Sequence, residues 1–347
     1  MLTLLIKPAS DSCNLGCDYC FYRGRGQGGR MTDETVETLL KKAAAVRPDA
    51  LGVVFQGGEP TLCGVDFYRR FAALAERYVA CPVEYALQTN GLLLDDDFCA
   101  FLKAKNFLVG VSLDGPREVH DRHRRDFAGE GAFARVMRGV GLLQKHGVDF
   151  NILSVVDDAN AADIEKTYAF FKAQGFGYVQ FIPCTQAGGV GLSAAAYEAF
   201  LKRSFDLWYD DLMRGEYVSV RHIDNYIGVL LGRPPENCAM RGVCGGYFVA
   251  EADGALYPCD FYCAPTYRLG SVYDDAPFAM GETQARFIEA SRRIHAACEG
   301  CKYYTLCRGG CRHDRGPGLT QNKYCAAYTG FFEYALPRML EAARLLR

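Results

Sequence analysis

Cys13, Cys17 and Cys20, three cysteines within the eight residues CNLGCDYC, have the types and spacing to do chemistry. Three thiolates on one loop can wrap a [4Fe-4S] cluster and leave its fourth iron without a protein ligand, open to a cofactor or substrate. Zinc loops more often use paired C-x2-C units with a fourth ligand. Eight further cysteines form a second pattern: Cys238, Cys244 and Cys259, then Cys298, Cys301, Cys307 and Cys311, and finally Cys325. Eight thiolates suffice for two fully ligated clusters, and the same thiolates could hold two zinc ions. Cys63, Cys81, Cys99, Cys184 and Cys263 stand outside both groups and read as small buried apolar residues, with Cys263 close to Cys259.

Such loops need elements to position them. Of the 347 residues half are hydrophobic and 23% charged, and the formal net charge of -2 gives no strong pull towards nucleic acid or an anionic membrane. The first ten residues, MLTLLIKPAS, are too short an apolar stretch for a signal peptide, and no run approaches the roughly 18 apolar residues of a membrane span. A cytoplasmic protein is expected, and there sixteen cysteines point to metal binding or catalysis rather than a disulfide framework.

Apolar, β-rich segments recur at 2–8, 52–58, 85–91, 107–115, 149–156 and 178–184, with amphipathic helical patterns between them. The alternation predicts an α/β fold, a partial (β/α)6 TIM-like barrel with functional groups on the loops after its strands. It stops after Pro183. The expected organisation is a barrel over 1–190, a helical linker over 191–234, and a cysteine-rich domain over 235–347 ending in a helix.

The cysteine loop after the first strand, with aromatic Tyr19 before its last cysteine and GGEP at 57–60 after the second strand, resembles the radical S-adenosylmethionine (SAM) superfamily. The resemblance implies that SAM chelates the open iron and that cluster reduction yields a 5′-deoxyadenosyl radical. It implies cofactor contacts from Tyr19, Gly58, Glu59, Ser112 and Arg124. Thr185 matches a further contact position, although leucine is usual there. The second cysteine pattern resembles the SPASM extension. Its connectivity implies one auxiliary cluster on Cys238, Cys244, Cys259 and Cys311, and another on Cys298, Cys301, Cys307 and Cys325, making three [4Fe-4S] clusters.

Longer stretches, LLIKPASDSCNLGCDYCFY, FQGGEPTL, LQTNG, VGVSLDGP, FDLWYDD and YPCDFY, are similar to the anaerobic sulfatase-maturating enzymes. These oxidise a cysteine, or in some members a serine, of a sulfatase to Cα-formylglycine. The implied partners are a sulfatase polypeptide carrying a CxPSR-type motif and a low-potential electron donor such as flavodoxin or ferredoxin. Neither nucleic acid nor membrane is expected as a partner. Tyr22 and Gln56 match residues that face the substrate, and Asp260, next to Cys259, matches the base. A negatively charged cluster beside that carboxylate would make it a better proton acceptor, and the substrate radical's electron would leave through the auxiliary clusters.

The closest rival is a radical SAM maturase that crosslinks a ribosomally made peptide. Many of those carry a peptide-binding domain before the barrel, for which a cluster loop beginning at residue 13 leaves no room. A plain iron-sulfur electron carrier would have no use for a vacant iron.

Overall fold

The computed structural model describes residues 1–26, 28–185, 188–275, 278, 281–316, 318 and 320–347. Two compact units emerge, each drawing on separated stretches of chain: residues 1–112, 124–150 and 245–287 form the first, and 113–123, 151–244 and 288–347 the second. Among the described residues no helix is long and apolar enough to cross a membrane.

In chain order the first unit holds β1 (Leu2–Ile6), α1 (Asp33–Ala45), β2 (Leu51–Phe55), α2 (Gly64–Tyr78), β3 (Val83–Thr89), α3 (Asp96–Ala104) and β4 (Leu108–Ser112). The chain then runs through α4 (Arg117–His123), α5 (Phe133–Lys145), β5 (Phe150–Val156), α6 (Asp158–Ala162), α7 (Ile164–Ala173) and β6 (Tyr178–Pro183). It continues with α8 (Ala194–Met213), β7 (Ser219–Val220), α9 (Arg221–Leu230), β8 (Phe248–Ala250), β9 (Ala255–Tyr257) and β10 (Gly270–Ser271). Three helices follow, α10 (Glu282–Arg292), α11 (Tyr304–Cys307) and α12 (Cys325–Leu345).

The sheet of the first unit has the order β10-β9-β8-β1-β2-β3-β4. Strands β1 to β4 are mutually parallel, and their apolar side chains point into covered faces: Leu4, Ile6, Leu51, Val53, Phe55 and Val109 are fully buried. That is why these strands read as nearly continuous apolar runs. The Phe55 ring meets Tyr68 and Phe71 of α2 edge-on at centroid distances of 5.0 and 4.9 Å, fixing the helix against the strand. The side chains of Thr32 and Asp95 accept from the backbone N–H of Thr35 and Phe98, starting α1 and α3. In the second unit β5, β6 and β7 are parallel neighbours, and α12 packs along α8 and α9.

The register of three strands places the functional residues. Ile6 pairs with Phe55 on one side and Ala250 on the other. Because β8 runs parallel to β1, the next residues, Lys7, Gln56 and Glu251, emerge side by side at the carboxyl edge. Residues 245–287, far along the chain, thus extend the sheet that begins at Leu2 and bring their own side chains to that edge.

Candidate active site

The cysteine loop leaves the carboxyl end of β1 and folds over the turn after β2. Gly58 N–H donates to Ser10 C=O at 2.8 Å and Glu59 N–H to Ser12 C=O at 2.7 Å, stitching the two loops together. A Cβ on Gly58 would lie 2.1 Å from Ser12 C=O, so only glycine allows this approach. Cys13, Cys17 and Cys20 are half-buried. Leu15 N–H points at Cys13 Sγ at 3.4 Å, the kind of contact that stabilises a thiolate ligand. Burial pushes the Cys13 thiol up to about 12, with Glu59, Cys17 and Cys20 adding to the rise, so iron must displace a proton on binding.

Glu59 is 1% exposed. Its Oε1 accepts from Thr61 N–H at 3.0 Å, Thr61 Oγ1 at 2.5 Å and Thr89 Oγ1 at 2.7 Å, and its Oε2 accepts from Asn90 N–H at 2.8 Å. Burial still pushes its carboxyl above the ordinary value, although these donors pull the other way. Ser112 is buried at the end of β4. Arg124, which the motif alone would allow on a solvated face, is 7% exposed and holds its guanidinium 5.4 Å from the Tyr19 ring centroid. Two expected cofactor contacts therefore meet beside the cysteine loop. Thr185 is half-buried and follows β6 in the second unit.

The three expected substrate residues also converge. Gln56 Nε2 donates to Asp260 Oδ2 at 2.7 Å, bringing together residues 204 positions apart. Tyr22 is buried, and its hydroxyl donates to Glu251 Oε2 at 2.5 Å. Burial and Glu251 both push the Tyr22 phenol above its ordinary range, so it stays protonated. Between them lies a residue that motif reading missed. Lys7 is fully buried, with Nζ 2.6 Å from Asp260 Oδ1, 3.6 Å from Glu251 Oε1 and 3.3 Å above the centre of the Tyr22 ring. Its ammonium donates to Cys263 Sγ at 3.6 Å. Burial alone would lower the Lys7 pKa, but Asp260, Cys263 and Glu251 outweigh it and hold the group above its ordinary value. Asp260 thus faces a fixed cation as well as the neighbouring Cys259. The only sequence signals for Lys7 and Glu251 were charges closing short apolar strands, in LLIKP and FVAEA.

The carboxyl-terminal cysteines separate into groups. Cys298, Cys301, Cys307 and Cys325 line one cavity of the second unit with Tyr303, Asn322 and Phe332. Burial, with Cys301, Cys298 and Cys325, raises the Cys307 thiol to about 11, as expected of thiols gathered together. Such a donor set, all sulfur and enclosed, fits an iron-sulfur cluster. Burial, with Cys244, raises the Cys238 thiol; both lie in the second unit, which also holds Cys311, while Cys259 belongs to the first unit. Cys259 Sγ accepts from Tyr247 Oη at 3.5 Å. Among the described residues no three His, Cys, Asp or Glu side chains converge as ligands of a single metal ion would.

Comparison with known proteins extends this geometry. Residues 8–171 match the family model of the radical SAM superfamily. The cysteine-type anaerobic sulfatase-maturating enzyme of Clostridium perfringens (strain 13) is 39% identical, with 100% of this chain and 99% of that protein covered. The counterpart from Clostridium novyi is 38% identical over 99% of this chain and 98% of its own. A serine-type enzyme from Bacteroides thetaiotaomicron is 30% identical over 97% and 90%. A solved structure of native anSMEcpe with bound AdoMet and Cp18Cys peptide superposes with a TM-score of 0.95 at 39% identity, covering 100% of this chain and 99% of that one. Streptococcus suis SuiB with bound S-adenosylmethionine shares the fold, with a TM-score of 0.64 at 16% identity over 93% of this chain and 77% of its own.

Proposed function

The chain belongs to the anaerobic sulfatase-maturating enzymes of the radical SAM superfamily, and on that premise we propose that Asp260 takes the target's proton as a sulfatase cysteine is oxidised to Cα-formylglycine. The reaction uses S-adenosylmethionine and three [4Fe-4S] clusters. The observation that carries the reading is the meeting of Gln56 and Asp260 at 2.7 Å, next to Tyr22 and at the edge from which the CxxxCxxC loop springs. The substrate is a polypeptide with a CxPSR-type motif. Greater identity to a cysteine-type relative, 39% against 30% for a serine-type one, supports cysteine as the target.

Cys13, Cys17 and Cys20 hold the first cluster, while Tyr19, Gly58, Glu59, Ser112, Arg124 and Thr185 hold S-adenosylmethionine. Cys238, Cys244, Cys259 and Cys311 take one auxiliary cluster, and Cys298, Cys301, Cys307 and Cys325 the other. A low-potential flavodoxin or ferredoxin supplies the electron. When bound and reduced, the cofactor pair supplies a 5′-deoxyadenosyl radical that takes a hydrogen atom from the target's β-carbon. Asp260 accepts the proton from sulfur; Gln56 holds one of its oxygens, leaving lone pairs to face the thiol. Loss of that hydrogen atom, the proton and one electron, for which the auxiliary clusters would be the acceptor, turns the side chain into a thioaldehyde. Water then exchanges sulfur for oxygen, with release of hydrogen sulfide.

The test is anaerobic turnover of a CxPSR-containing peptide with dithionite as reductant. The product should be lighter by about 18 mass units, the difference between a cysteine side chain and an aldehyde. Asp260→Asn should retain its iron and its peptide-dependent adenosyl cleavage while aldehyde formation drops about 100-fold or more, the range of a lost general base. Formylglycine from the Asn variant at the parent rate would remove Asp260 from the mechanism.

A further inference from the structure

Lys7 lies outside the cysteine and GGEP motifs, yet it is the most enclosed charge in the site. Its N–H pairs β1 with β8 by donating to Ala250 C=O at 2.9 Å, so its backbone is set by the sheet. Its stem packs under the turn after β2: a Cβ on Gly57, which has φ +124°, would come within 3.1 Å of Lys7 Cβ. The first glycine of GGEP therefore makes room for this lysine and for Ser10 C=O, 2.9 Å away. At the tip, the Tyr22 ring lies 3.3 Å beneath the ammonium, and Glu251, Asp260 and Cys263 surround it. A lysine held on so many sides cannot swing.

A buried ion pair is rarely the most stable way to fill space, since an apolar side chain of the same volume often does as well. What a fixed ammonium does provide is direction. Asp260 Oδ1 lies 2.6 Å from Lys7 and Oδ2 2.7 Å from the Gln56 amide, so both oxygens are tied and the carboxylate plane is defined. Both ties originate at the carboxyl edge of adjacent strands, on rigid scaffold rather than loop. Asp260 itself opens a three-residue 3-10 turn after Cys259, too short to fix its side chain unaided.

We propose that Lys7 is a positioning residue of the formylglycine reaction: through its ion pair it orients the Asp260 carboxylate towards the target thiol. Tyr22 and Glu251 in turn hold Lys7. Tyr22 thus reaches the chemistry through the lysine beneath which it is packed, in addition to any contact with peptide. This inference rests on the function proposed above.

The test uses the holoenzyme carrying Lys7→Met, which keeps the length and removes the charge, and the double variant Lys7→Met/Glu251→Gln. The double variant removes one positive and one negative charge, so the buried net charge matches the parent. Iron content, peptide affinity, 5′-deoxyadenosine and aldehyde are measured with a peptide deuterated at the cysteine β-carbon. Both variants should bind peptide as the parent does and still move deuterium into 5′-deoxyadenosine. Aldehyde formed per 5′-deoxyadenosine should fall about tenfold or more, a loss in kcat with little change in KM. Parent-like coupling in Lys7→Met, or its recovery in the charge-matched double variant, would overturn the proposal, since the lysine would then only offset buried charge. If Lys7→Met fails to retain iron, the double variant carries the test alone. A parent enzyme that makes no aldehyde would instead count against the proposed function.

Discussion

At the scale of single residues, Glu59 shows how a motif side chain can tie the chain together at the place proposed for a cofactor. Its two oxygens take four donors from Thr61, Thr89 and Asn90, which tie the turn after β2 to the end of β3. Glu59→Gln would turn an amide N–H₂ towards some of those donors and leave them unsatisfied. The expected cost is about 1–3 kcal/mol, read as a lower denaturation midpoint in protein free of S-adenosylmethionine. Burial raises the Glu59 carboxyl above 4.5, so the folded protein binds its proton more tightly than the unfolded chain does. The stability this proton provides is present below 4.5 and is lost as pH rises through the raised value. A cofactor ammonium beside the carboxylate would offset that loss. S-adenosylmethionine affinity should therefore strengthen as Glu59 ionises and lose that pH dependence in Glu59→Gln, which isothermal titration at several pH values can follow. That Tyr22, Gln56 and Asp260 belong to one neighbourhood could be expected from the sequence because each sits inside a longer recognisable string. Lys7 and Glu251 were not, because their partnership depends on β1 pairing with β8, some 240 residues away, and no local pattern encodes that pairing.

At the scale of elements, close approach is what the glycines permit. Gly58 abuts Ser12, directly before Cys13. Gly58→Ala would push the cysteine loop away from the β2 turn, and the variant should lose the first cluster, about four of roughly twelve irons, while keeping the carboxyl-terminal ones. Iron quantification with the visible spectrum reads this directly. Gly139 is a second case. A Cβ there would sit 2.3 Å from Gly91 C=O, so α5 packs on the TNG turn only because that position is bare. Gly139→Ala should cost about 1–3 kcal/mol by overpacking, visible in thermal unfolding. The alternation of β1 to β6 with helices was readable because buried parallel strands leave long apolar runs. Strands β8, β9 and β10 were not, being only three, three and two residues long, too short for any period to show.

At the scale of the molecule, regular structure is unevenly distributed. The described residues between 296 and 324 contain one four-residue helix, α11, and short 3-10 turns, and few of their apolar side chains are buried, notably Tyr303, Leu306 and Tyr324. A stretch with so little core is held by something else. Four thiols line its cavity, and Cys325 is the first residue of α12, a 21-residue helix packed on α8. A cluster on these thiols would anchor the irregular stretch to a stable helix, and its binding energy would then be folding energy for residues 296–324. Stripping the iron should loosen this stretch and leave α8 and α12 in place. Trypsin is the probe, because Arg308, Arg312 and Arg315 lie within it, and Arg315 is buried, donating to Ser291, Arg293 and Gly310 C=O. Iron-free protein should be cut at these arginines at least about tenfold faster than holoprotein, and Cys307→Ala should reproduce the effect without chelator. Equal cleavage of both forms would mean that side-chain packing alone holds the stretch, and that its cluster serves electron transfer without supporting the fold.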